Sequence, residues 1–136
     1  MIEINWFGVV LAIVAGMAVA GVWYSKIGFG LVWWKLTGIT SEQSKRATVR
    51  NMVQLFIANS VTAVGLAVGI AITSMATDQD SVWLAVLVGL VAWATLSATT
   101  LLQHNAFELK PPMLTVVNSS YQLVLFLAMS LVIGLL

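Results

Sequence analysis

Four apolar runs, each about as long as a helix needs to cross the ~30 Å hydrocarbon layer of a bilayer, are separated only by short polar connections. That pattern leaves little choice of architecture. In lipid every backbone amide and carbonyl must find its partner within the protein, and runs of this length do so as helices. The expected spans cover residues 5–24, 53–76, 82–105 and 113–135. A further segment at 27–37 is too short to cross and is rich in Trp, Phe and Gly, as interfacial helices are. The expected fold class is all-α: a polytopic membrane protein forming a single four-span domain over residues 1–136. Charge agrees, since only 8% of residues are charged where a soluble domain has about a quarter.

Local signals sharpen the picture. Ala18-Val19-Ala20 has the small-residue spacing of a signal-peptidase site, but only Glu3 precedes the apolar run where a signal peptide carries basic residues, so the first span is expected to be retained. Gly8, Ala12, Gly16 and Ala20 recur every fourth residue and predict a smooth face against another helix, with Val9, Val10, Leu11, Ile13 and Val14 left for lipid. Thr40 and Gln43 have the spacing of a capping box, so the second helix should start in water and run through residues 44–54 into its span. Gly65 and Gly69 in that span, and Ala85 and Gly89 in the next, are further small-residue contact positions. The polar turn at 77–81 makes the second and third spans antiparallel neighbours, and Pro111-Pro112 stops the third helix because proline has no amide donor.

All six basic residues fall on one side under this assignment: Lys26, Lys35, Lys45, Arg46 and Arg50 in the first connection and Lys110 in the third. The other side carries Glu3, Asp78 and Asp80. Positive residues mark the cytoplasmic side, so the chain is expected in a cell inner membrane with both termini extracytoplasmic. A net charge of +1 and no basic patch exclude nucleic acid as a partner. With no Cys and a single His, no disulfide or zinc site can be built, and no cofactor is expected.

Trp23-Tyr24-Ser25, Phe29-Gly30 and Trp33, followed by Ala98-Thr99, Phe107-Glu108, Lys110, Asn118 and Tyr121, stand in an order and spacing that resembles the bacterial membrane family catalogued as domain of unknown function 1761. The likeness runs nearly the whole chain. It departs at Lys26, where the family usually has Pro, and at Ser120, where it usually has Gly. The resemblance implies a four-span membrane domain and no activity.

Polar residues inside the spans gather in the half nearer the basic connections. Tyr24 and Ser25, Gln54, Thr99, Thr100, Gln103 and His104, and Asn118 and Gln122 come from four helices and form a candidate polar layer. Thr100 and His104 share one helix face, and Asn118 and Gln122 another. One reading of the layer is a shallow cytoplasmic site for a small polar solute or lipid headgroup. The other is hydrogen bonding between helices. His104 is the one group with an ordinary pKa near neutrality, yet a lone His near a helix end is ordinarily an interfacial hydrogen-bonding residue. The five acidic residues all lie outside the hydrocarbon layer, which argues against an ion-driven carrier. Trp6, Trp23, Trp33, Trp34 and Trp83 read as interfacial anchors and Trp93 as core packing. No nucleophile–base pair can be assembled, so no enzyme is expected. The leading expectation is a self-associating structural or accessory membrane module, with the bilayer and further copies of the chain as partners. An oligomeric channel or facilitator for a small polar solute is the alternative, since one four-helix bundle fills its own core.

Overall fold

The computed structural model describes residues 3–136. Three of the helices begin where a side chain accepts from one of their free amides. Asn5 caps α1 (Trp6–Trp23) by accepting from the Gly8 amide at 3.2 Å. Thr40 and Gln43 form the capping box at the head of α3 (Ser41–Thr77), with reciprocal bonds of 3.1 and 3.0 Å. Ser81 accepts from the Leu84 amide at 3.1 Å to start α4 (Val82–Ala92), and Pro112 opens α6 (Pro112–Leu135) at a position that needs no donor. Between α1 and α3 lies the short α2 (Gly30–Thr37), closed by Gly38 in the left-handed conformation at φ 68°.

The third span is not one regular helix. A five-residue π turn, Trp93–Ser97, separates α4 from α5 (Ala98–Phe107) within a continuous 26-residue rod. The expected uniform helix over 82–105 gives way here. The π turn sits where the Trp93 indole nitrogen donates to the Ser119 carbonyl at 2.8 Å and the Thr95 hydroxyl to the Val91 carbonyl at 2.7 Å. Among the described residues the fold is all-α, with four helices long and apolar enough to span a membrane.

The four spans form a ring in the order α1, α3, α4–α5, α6, with α6 touching every other span. Small residues set the spacing. Gly8, Ala12, Gly16 and Ala20 are all buried, and a Cβ on Gly16 would lie 2.9 Å from the Leu125 side chain and closer still to Met129. A Cβ on Gly89 would lie 2.8 Å from Cβ of Ser130, and one on Gly134 would lie 2.7 Å from Cβ of Ala85, so α4 and α6 touch almost backbone to backbone. The core that results joins Val9, Ala12, Ala63, Leu66, Leu125 and Met129. Val9, expected to meet lipid, is 3% exposed because it lies beside Gly8 and Ala12 on the buried side of α1. Gly65 differs from Gly69 as well: a Cβ on Gly69 would rest 3.7 Å from Val88, whereas at Gly65 nothing lies within 4 Å, so Gly65 faces away from the bundle.

Candidate functional site

The chain leaves α1 through a turn that only glycine can make. The Phe29 amide bonds back to the Trp23 carbonyl at 2.6 Å and the Gly30 amide to the Ser25 carbonyl at 3.0 Å. A Cβ on Gly28 would sit 2.6 Å from the Trp23 carbonyl oxygen, and one on Gly30 the same distance from that of Ser25. This tight reversal drops Phe29 onto Trp23, their ring centroids 4.7 Å apart, and brings Trp33 of α2 edge-on to Tyr24 at 5.6 Å. Tyr121 of α6 completes the cluster, 5.0 Å from Tyr24 and 6.5 Å from Trp23.

Polar contacts thread the same cluster. The Tyr24 hydroxyl donates to Oδ1 of Asn118 at 2.8 Å, and the Trp23 indole nitrogen donates to the Val117 carbonyl at 3.2 Å. Less than one turn away on α6, Nδ2 of buried Asn105 donates to Oγ1 of Thr115 at 3.0 Å. Each contact satisfies a donor that would be costly to leave bare in hydrocarbon. Deeper in the bundle, buried Asn59 donates to the Met17 sulfur at 3.4 Å. Its amide faces the Tyr121 hydroxyl, which is buried and makes no hydrogen bond.

The nine residues of the expected polar layer therefore divide. Tyr24, Ser25, Asn118 and Gln122 are half-buried; Tyr24 and Asn118 meet between α1 and α6, and Ser25 bonds back to the Val22 carbonyl at 2.7 Å. Gln54, Thr99, Thr100, Gln103 and His104 are exposed on the outside of the bundle. The two threonines return their hydroxyls to carbonyls one turn earlier in their own helix, Thr99 to Thr95 and Thr100 to Leu96. So the four-residue spacing that groups Thr100 with His104 holds, but that face looks outward. The π turn and the seating of Trp93 on α6 fix the rotation of the span, and neither was written in a motif. Sequence reasoning also missed Asn59, although an amide in the middle of an apolar run is itself a signal. It passed over Asn105–Thr115 as a pair and treated the two indoles as anchors or packing, where each also donates to an α6 carbonyl.

Two clefts lie elsewhere. One of about 730 Å³ opens at the opposite end of the bundle, among Asn5, Ser74, Asp78, Gln79 and Asp80. A smaller one of about 380 Å³ runs along the first turns of α3 between Gln43, Arg46, Ala47 and Arg50. Neither includes a residue of the polar layer.

A four-span helical bundle whose aromatic and amide side chains tie one end of α1 and α2 to α6 is, as a class, a multi-pass membrane protein of small size. The chain belongs to the family described as protein of unknown function (DUF1761), which it matches over residues 7–134. No curated protein and no solved structure matches it. Six of the residues that carry the family likeness, Trp23, Tyr24, Phe29, Trp33, Asn118 and Tyr121, meet in the aromatic cluster, whereas Ala98, Thr99, Phe107, Glu108 and Lys110 lie outside it.

Proposed function

We propose that this protein is a self-associating structural or accessory module of a bacterial inner membrane, with both termini extracytoplasmic and the end that carries α2 in the cytoplasm. One observation carries the reading: inside the bundle the indoles of Trp23 and Trp93 donate to α6 carbonyls and the amides of Asn118 and Asn105 pair with the hydroxyls of Tyr24 and Thr115, while Gln103 and His104 are exposed on the third span with no side-chain hydrogen bond among the described residues. Outward polar groups on a span find partners on a neighbouring helix, and such contacts are worth about 0.6 kcal/mol each. The third span is also the least covered, with 11% of its apolar window buried against 28% in the other three. That leaves its face for a second copy. The orientation rests on charge, because the six basic residues stand with only Glu42 and Glu108 at one end, and Glu3, Asp78 and Asp80 stand at the other.

The test is particle mass. Purified protein in nanodiscs should weigh as a dimer or larger assembly, and the double variant Gln103→Leu/His104→Leu should shift the population toward monomer. A parent protein that is monomeric at every protein-to-lipid ratio would sink the reading.

A further inference from the structure

α3 is longer than the membrane is thick, and its outward stripe changes chemistry where it leaves the hydrocarbon. At 1.5 Å per residue its 37 residues reach about 55 Å, against a hydrocarbon layer of ~30 Å. Counting about 20 residues back from Met75 puts the hydrocarbon boundary near Phe56. Steps of three and four residues then define one outward line. Below the boundary it holds Ile57, Val61, Gly65 and Ile72, all exposed, opposite the buried Asn59, Ala63, Leu66 and Ile70. Above the boundary the same line continues as Gln54, Arg50, Arg46 and Gln43.

The polar part of the line is open to solvent, with Gln43, Arg46 and Arg50 all exposed along one side of α3. Together with Ala47 they border a shallow depression of about 380 Å³. Arg50 has no ion-pair partner among the described residues, and Arg46 has only Glu42 at 3.8 Å, a pair in which both side chains lie open to solvent. Such pairs are weak, and Arg46 keeps donors free. Gln54 stands about 3 Å and Arg50 about 9 Å above the boundary at the helical rise, the depth of the headgroup layer, and the long stem of Arg50 can bend back toward it. Charge thus meets hydrocarbon on a single helix face.

We propose that this stripe binds an anionic phospholipid, with Gln54 and Arg50 at the phosphate, Arg46 one turn further out at the headgroup, and an acyl chain along Ile57, Val61 and the open notch at Gly65. The occupant is a lipid rather than a protein because the stripe is charged at the counted depth of the headgroups and apolar at that of the chains. Planar guanidiniums suit phosphate oxygens, and a lipid needs no second surface to match. This site is separate from the outward face of the third span, and its test is independent of self-association.

Native mass spectrometry of the full chain in detergent, titrated with phosphatidylglycerol or phosphatidylcholine, reads the site directly. The parent should retain phosphatidylglycerol preferentially. Arg46→Gln/Arg50→Gln should lose about fivefold to 25-fold of that preference, taking about fivefold for each basic residue near the surface. Lys110→Gln, at the same end but on another connection, should keep it. Equal loss in Lys110→Gln would mean diffuse attraction to the basic end and would overturn the site. So would an unchanged preference in the double variant, or displacement of the lipid by millimolar inorganic phosphate, which would mark a soluble-anion site. A double variant that changes the number of chains per particle and leaves the lipid count alone would assign the stripe to a second copy instead.

Discussion

A hydrogen atom in place of a side chain at Gly16 is what lets α1 lie against α6 at Leu125 and Met129. A lone Cβ there crowds only the flexible ends of Leu125 and Met129. A side chain as large as leucine must displace both of these almost fully buried groups, and overpacking of that kind costs about 1–3 kcal/mol. Gly16→Leu should therefore lower the melting temperature in detergent, while Ile13→Leu, at a half-buried position on the same helix, should change stability by less than about 1.5 kcal/mol. Matching melting curves for Gly16→Leu and the parent would show that α1 does not pack on α6 through this strip. The same logic separates Gly69, which rests against Val88, from Gly65, which meets only its surroundings. Two glycines four residues apart on one helix thus have different roles, and only the neighbouring helix tells them apart.

Among the elements, α3 stands out because its first turns have no bundle to lean on. Nearly every residue of 41–54 is exposed, and Val49 is 77% exposed, so this arm is held as helix by its cap and by continuity with the span below. An isolated helix of this length is marginal in water. Thr40→Ala removes one half of the capping box and should cost about 0.5–2 kcal/mol, felt in the arm alone. Amide hydrogen exchange is the measurement: protection should fall over residues 43–50 and stay unchanged over 59–70. Uniform loss across both would mean that the arm and the span open as one unit. The third span illustrates the opposite case, an element whose existence was plain from its composition while its rotation was not. Its threonines satisfy themselves within the helix and place no demand on neighbours, so their positions carried no information about which side faces the bundle.

For the whole molecule, the distribution of charge makes a prediction about sidedness. Cysteines introduced as Lys45→Cys and Gln79→Cys sit at opposite ends of α3, and an impermeant thiol reagent added to intact cells should label position 79 and spare position 45. Labelling confined to position 45 would invert the orientation. Span number, the helix start at Thr40 and the segregation of charge were all legible in the chain, because each depends on local backbone chemistry or on the cost of leaving a donor or a charge in lipid. The family likeness was legible too, carried in part by residues that turn out to be neighbours in space. What the chain alone could not show was which polar groups meet. Periodicity says that Thr100 and His104 share a face and that Asn118 and Gln122 share another, but the angle at which each helix turns that face is set by packing against its neighbours. That angle is decided by Gly89 against Ser130, by Trp93 seated on the Ser119 carbonyl, and by the π turn that accompanies it. In lipid the hydrophobic effect gives little preference between one face of an apolar helix and another, so close steric fit and a few hydrogen bonds select the rotation, and both exist only once the helices have come together.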